Sequence, residues 1–354
     1  MPTYAQTVLV LSSMLVDIKD TVSILKSLTL SRLWNMLIVF LSYIVSRVLR
    51  QPIHWGMPIS LSIEPTTSCN LRCPECPSGL RSFTRPTGML EGELFEKLLS
   101  EVSTKTLYML FYFQGEPYLH PDFLLHVNKA SAKGIYTATS TNAHYLNDEN
   151  ARKTVESGLK RLIISIDGAS QETYESYRVG GNLNKVIEGT KNVIKWKNKL
   201  NSSSPSVVFQ FLVVRPNEHE IDEIKQLGKE LGVDKVLFKS AQIYDYENGS
   251  PLIPSNSRYS RYTLDSNTGK YVIKSKLFNH CWKMWHSCVL TWDGKVVPCC
   301  FDKDADHVLG DFQTDSFEGI WKSNGYVNFR KSIIKGRDQI DICTNCTEGT
   351  KVWV

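Results

Sequence analysis

The stretch Glu64-Pro65-Thr66-Thr67-Ser68-Cys69-Asn70-Leu71-Arg72-Cys73-Pro74-Glu75-Cys76-Pro77 decides how the chain is read. It gathers three thiols into one loop directly behind an apolar, strand-like run, Ile59 to Ile63. Cysteines spaced CxxxCxxC hold three corners of a cubane iron–sulfur cluster and leave the fourth iron without a protein ligand. A structural zinc site takes four protein ligands, and this loop supplies three, with Pro74 and Pro77 stiffening its turns. Three thiols and an open corner point to catalysis; structural zinc and surface thiols are the plainer alternatives.

The run Cys69-Asn70-Leu71-Arg72-Cys73-Pro74-Glu75-Cys76 resembles the cluster loop of the radical S-adenosylmethionine (radical SAM) superfamily. The resemblance implies that the amino and carboxylate groups of SAM chelate the open iron. One electron would then cleave the sulfonium, and a 5′-deoxyadenosyl radical would abstract hydrogen from an unactivated position. It implies a 4Fe–4S cluster on Cys69, Cys73 and Cys76, and an external reductase such as flavodoxin or ferredoxin.

Composition sets the frame. A chain of 354 residues exceeds the usual single domain and suits one catalytic barrel with an appendage. With 42% apolar and 22% charged residues it is neither disordered nor a polytopic membrane protein. A net charge of +5, without a dense basic run interleaved with aromatics, gives no argument for nucleic acid. The nine cysteines cluster in short CxxC-type spacings, which fits a reducing cytoplasm better than a secreted disulfide framework. The first charged residue is Asp17, so no basic n-region of a secretory signal is expected.

Residues 1–56 read as a helical extension with two patterns broken near Ser27 to Ser31. The second, Leu33 to Val45, is apolar almost all round. At about 13 residues it falls short of the roughly 20 that span a bilayer, so it reads as buried or interfacial. From Met1 to Trp55, Lys19, Lys26, Arg32, Arg47 and Arg50 stand against Asp17 and Asp20, a balance suited to an anionic membrane surface. Capping the barrel bottom or a dimer contact would explain the same pattern. The expected location is cytoplasmic, with this extension a candidate for contact with the inner membrane face.

From Ile59 short apolar runs alternate with amphipathic segments such as Glu91 to Val102 and Glu218 to Leu231. Strands are expected at Ile59 to Ile63, Leu107 to Phe113, Ile135 to Ser140, Leu162 to Ile166, Val207 to Val214 and Val236 to Lys239. Six strands alternating with helices imply parallel pairing with right-handed crossovers. Periodicity leaves an open or a curled sheet possible; the resemblance implies an α/β partial (β/α)6 TIM-like radical SAM barrel over 57–243. Either way ligands gather at the carboxyl ends of the strands.

Phe113-Gln114-Gly115-Glu116-Pro117 follows the second strand and resembles the family's GGEP motif, with Gln114 in place of the first glycine. The resemblance implies that Gly115 and Glu116 hold the methionine amino group. The third strand ends in Ser140-Thr141-Asn142 and the fourth in Ser165-Ile166-Asp167-Gly168, with Tyr177-Arg178 downstream. By resemblance to related maturases, Ser165 and Arg178 hold the SAM carboxylate and Asn142 the adenosyl part. Asp167 reads equally as structural. Gln210 and Arg215 are polar where a barrel lumen or an exposed strand would place them. Residues 244–276, rich in Ser, Asn, Tyr and Gly, read as a connecting or substrate-facing loop.

Six cysteines lie beyond residue 280. Asp293-Gly294 between apolar runs signals a hairpin that would aim Cys281 and Cys299 from its flanks toward one centre, with Cys343-Thr344-Asn345-Cys346 completing four thiolates. On the residues alone this is either a zinc site or a cluster site. The order of Cys281, Gly294, Cys299, Leu309-Gly310-Asp311-Phe312, Trp321, Arg330 and the final CxxC resembles the SPASM/Twitch extension of radical SAM enzymes. It implies a small α+β domain over 277–354 and one auxiliary 4Fe–4S cluster held by Cys281, Cys299, Cys343 and Cys346. Cys288 and Cys300 are left over, with Cys300 an alternative to Cys299. The substrate, a small molecule, a peptide or a lipid-linked species, is open, and no residue stands out as a base. The competing class is a metal-binding scaffold or electron-transfer protein.

Overall fold

The computed structural model describes residues 20–350 and residue 352. The start of the first helical pattern, with Asp17 and Lys19, lies outside the described residues. Strands β1 (Ser60–Ile63), β2 (Tyr108–Phe111), β3 (Tyr136–Thr141), β4 (Arg161–Ser165), β5 (Ser206–Val213) and β6 (Lys235–Ser240) pair in chain order, all parallel. All six expected strands are present. The fold is the partial TIM-like barrel implied by the cluster loop.

Register explains which side chains meet. Leu61, Met109, Leu162 and Phe209 turn outward and pack, fully buried, under the helices. Pairing of Ala138 with both Leu110 and Arg161 sets Ser140 on the opposite, inner face, in line with Ser165 and its partner Gln210. A slip by one residue would swap the two sets.

The sheet does not stop at the barrel. β9 (Ser287–Leu290) adds in parallel to the free edge of β1, and β10 (Lys295–Val297) and β11 (Gly310–Asp311) continue it antiparallel. The expected hairpin turn is present: Gly294 sits at φ +82, and Asp293 accepts from the Thr291 hydroxyl at 2.6 Å. The hairpin therefore joins the barrel's own sheet, and Trp285, Leu290 and Trp321 belong to the same apolar core as Leu61 and Ile63.

Two expectations need correcting. The stretch 244–276 is not irregular throughout: β7 (Tyr262–Leu264) and β8 (Tyr271–Ile273) form a hairpin. Its turn is closed by Asp265, which accepts from the Asn267 amide and the Thr268 hydroxyl, and by Gly269 at φ +67. The apolar pattern Leu33 to Val45 is only the middle of helix α1 (Leu30–Leu49), 20 residues long. By length and composition α1 could cross a membrane. Its ends are set by capping, which apolar patterning does not register: the Thr29 hydroxyl accepts from the Arg32 amide at 3.2 Å, and Arg50 turns into the left-handed region.

The loop that leaves β1 is gripped by one buried ion pair. Glu64 is fully buried, and its carboxylate takes both arms of the Arg85 guanidinium at 2.8 and 2.6 Å and the Trp292 amide at 3.2 Å. Burial pushes the Glu64 carboxyl up, and Arg85 opposes it. Removing the cation would strand a buried carboxylate. Arg85→Ala is expected to cost about 3–5 kcal/mol in denaturant unfolding, and Glu64→Gln/Arg85→Met distinctly less.

Candidate active site

Cys69, Cys73 and Cys76 carry free thiols and line one cavity of about 210 Å³ at the carboxyl ends of the strands. Gly115, Glu116, Asn142, Ser165 and Arg178 line the same cavity, and so does Gln210. Arg215 does not: its Nε donates to the Ile253 carbonyl at 2.9 Å. Long-range pairing thus brings every residue carried over from the SAM-binding motifs to one place.

Each is held by identifiable contacts. Gly115 has φ +73, and a Cβ there would meet the Thr66 carbonyl oxygen at 2.2 Å, so the loop crosses the cluster loop only as glycine. Its amide donates to Ser78 Oγ at 2.9 Å, and the Glu116 amide donates to the Ser68 carbonyl at 2.7 Å. The Glu116 carboxylate accepts from Thr141 Oγ1 at 2.6 Å, the Asn142 amide at 2.8 Å and the Tyr118 amide at 3.3 Å. Burial pushes its carboxyl up to about 7 despite these donors. Two carboxylate oxygens offer about four acceptor positions, so room remains for a further cation.

Arg178 follows the helix Gln171–Tyr177, which Ser170 caps. Its Nε donates to Asp167 at 2.5 Å, and its Nη1 lies 3.8 Å from Cys73 Sγ. Burial works against its charge, but Asp167 and Cys73 hold its pKa well above the ordinary arginine value. Asp167 is fully buried and also accepts from the Leu212 amide at 2.6 Å, so it orients Arg178 from behind. Ser140 and Ser165 hydroxyls lie 3.4 Å apart, and the Asn142 side-chain amide donates to Asn70 at 2.8 Å.

The cavity wall also includes Ser78, Tyr112, Tyr177 and Lys303, to which the sequence assigns no role. Ser78 and Tyr112 flank recognised motifs and were legible from their position. Lys303 arrives from the C-terminal region and borders a second, larger cavity of about 690 Å³ that also carries Tyr244 and Tyr246. No local pattern marks it.

The second cysteine set converges as well. Cys281, Cys299, Cys343 and Cys346 line one enclosed space with Arg337, whose Nη2 lies 3.2 Å from Cys346 Sγ. Cys281 sits ahead of the short helix Lys283–His286 and Cys299 just beyond β10, so neither is on a hairpin strand. Cys300 packs instead with Phe113, Val289 and Val297, and Cys288 is buried on β9. Among the described residues no three His, Cys, Asp or Glu side chains are grouped to hold a single metal ion.

The comparisons with known proteins agree with this geometry. The radical SAM superfamily model matches residues 63–228, and the model of the SPASM iron–sulfur cluster-binding domain matches 281–347. The chain belongs to the radical SAM superfamily and carries a SPASM domain. It is 26% identical over 81% of its length to the tungsten-containing aldehyde ferredoxin oxidoreductase cofactor-modifying protein of Pyrococcus furiosus, covering 86% of that protein. It is 25% identical over 77% of its length to the PqqA peptide cyclase of Bradyrhizobium diazoefficiens, covering 75% of it. In fold it is similar to SuiB of Streptococcus suis bound to S-adenosylmethionine, at TM-score 0.60 and 13% identity, covering 86% of this chain and 75% of that one.

The two domains imply SAM and two 4Fe–4S clusters. The residues fit them: three free thiols with a charged arginine and a buried carboxylate in the first cavity, four free thiols around the second space. At the second, a Cβ on Gly349 would come within 2.3 Å of Cys281 Sγ, so only glycine leaves that sulfur its place.

Glu116 makes the fold pH-sensitive in a defined direction. Its carboxyl titrates near 7 in the native state and near 4.5 when unfolded, so between these values the native state holds the extra proton. Its contribution to stability therefore falls as pH rises from about 4.5 to about 7 and levels off above, a span on the order of 3 kcal/mol. Urea unfolding at about pH 5 and about pH 8 is expected to show this difference in the wild type relative to Glu116→Gln.

Proposed function

We propose that the chain is a maturase-type radical SAM enzyme that oxidatively modifies a peptide. The observation that carries this reading is the meeting of three free thiols with Glu116, Ser165 and Arg178 on one cavity at the strand ends. When loaded, the first cluster with SAM supplies a 5′-deoxyadenosyl radical for hydrogen abstraction, and the second supplies an acceptor for the electron that remains.

The chain's own residues bind and orient. Cys69, Cys73 and Cys76 ligate the first cluster; Glu116, with the backbone at Gly115, takes the amino group of SAM. Arg178, kept charged by Asp167, and Ser165 take its carboxylate, and Asn142 faces the adenosyl part. Cys281, Cys299, Cys343 and Cys346 hold the auxiliary cluster, with Arg337 offsetting thiolate charge. Tyr112 and Tyr177 add aromatic walls to the same cavity. A flavodoxin or ferredoxin is the proposed electron source.

A peptide is favoured over a small molecule by two points. A relative of this chain over most of its length is a peptide cyclase by name. The cavity of about 690 Å³ that shares Pro77 and Lys303 with the SAM-side cavity has room for more than one residue. Similarity to a cofactor-modifying protein supports the second reading, a small molecule or cofactor precursor.

Anaerobic reduction of the reconstituted protein with SAM is expected to release 5′-deoxyadenosine, and Cys73→Ala to lower that release at least about a hundredfold. Cys343→Ala/Cys346→Ala is expected to retain release while bound iron falls from roughly eight to about four per chain. Bound iron without deoxyadenosine release would make the protein a scaffold or electron carrier instead.

A further inference from the structure

Helix α1 is built inside out. A surface helix ordinarily turns its apolar stripe to the protein and its polar residues to water. In α1 the buried side consists of Arg32, Asn35, Val39, Ser42, Tyr43 and Ser46. Turned outward at the same helical spacing are Leu30, Trp34, Leu37, Leu41, Ile44 and Val48.

The inward polar groups are tied to the protein. Arg32 donates to the carbonyls of Ser27, Gly134, Ser103 and Lys133 at 2.6 to 2.8 Å. Asn35 exchanges two hydrogen bonds with the Met57 backbone, and the Tyr43 hydroxyl lies 3.1 Å from His280 Nδ1. Arg32 is thus a structural anchor and not one of the surface charges. The outward stripe has no described residue over it: Leu30 is 88% exposed, Trp34 60% and Val48 75%.

Charge states what covers this stripe. No acidic residue occurs between Asp20 and Glu64, and Lys26, Arg47 and Arg50 are exposed at the two ends of α1, with Trp55 half-exposed nearby. A second copy docked through the same face would set these cations against each other with no acid to pair them. An anionic lipid surface supplies both the apolar layer and the countercharge.

We propose that α1 lies flat on an anionic bilayer, its leucine, tryptophan and isoleucine stripe in the acyl boundary and Lys26, Arg47 and Arg50 at the headgroup phosphates. It lies rather than crosses, because polar contacts hold it to the rest of the protein from Arg32 to Tyr43, about 17 Å of its length. Crossing would carry those groups into hydrocarbon. The anchor carbonyls of Ser103, Lys133 and Gly134 precede β2 and β3, at the amino ends of the strands. The SAM-side cavity opens at the other end, so the bilayer holds the enzyme without feeding its cavity.

Flotation of the full-length, cluster-loaded protein with vesicles tests this independently of any turnover. Binding is expected to vesicles containing phosphatidylglycerol, weakly to pure phosphatidylcholine, and to weaken in high salt and about fivefold for each of Arg47→Gln and Arg50→Gln. Leu37→Glu/Leu41→Glu is expected to reduce the floating fraction more than about tenfold with an unchanged melting temperature and deoxyadenosine release. Failure of the wild type to float overturns the proposal. So does unchanged flotation of the double variant, which would put lipid binding elsewhere, for instance in residues 1–19. A wild-type dimer that dissociates in the double variant also overturns it.

Discussion

The carboxylate of Glu64 is the point from which the rest of the molecule is held. It stands at the end of β1, the strand that carries the cluster loop, and it is out of contact with water. A charge in that position survives only if every lone pair finds a donor. Arg85 closes the loop on it from one side, and the Trp292 amide reaches it from the C-terminal hairpin on the other. One buried anion thereby joins the cluster loop, the segment behind it and the SPASM region. Asp304 extends the junction by accepting from the Thr84 and Arg85 amides.

That junction explains why the barrel and the SPASM region share a sheet. β1 would be an edge strand if the barrel ended there, with unpaired backbone beside the reactive loop. β9 covers that edge in register, Leu61 opposite Cys288 and Ile63 opposite Leu290. The same pairing carries Lys303 to the wall of the SAM-side cavity.

Inside the cavity, charge is arranged in layers. Asp167 has no exposure and orients Arg178, which faces the thiols. Glu116 is packed among backbone and hydroxyl donors that restrain but do not neutralise it. Burial pushes the Glu116 carboxyl up to about 7, while Asp167 is ion-paired with Arg178. The carboxylates differ by surroundings and not by residue chemistry.

Much of this was legible in the chain itself. The spacing of Cys69, Cys73 and Cys76 determines the chemistry because three thiols in one loop need no tertiary contact to be neighbours. The alternation of apolar runs and amphipathic segments determines the parallel pairing, since the two periods differ and connections between parallel strands must cross over, while the choice of a barrel over an open sheet rests on the resemblance. Gly115 is assigned in the sequence by its resemblance to the GGEP motif, while the close backbone crossing that demands glycine there is a tertiary contact. What local pattern could not decide was anything set by distance in sequence: the addition of β9 to β1, the arrival of Lys303, the choice of Cys299 over Cys300 at the second space. The length and facing of α1 were also hidden, since caps at Thr29 and Arg50 end it and contacts with distant carbonyls turn its polar side inward. Sequence determined which elements and donors exist; only packing, which sums contacts across the whole chain, decided where they face.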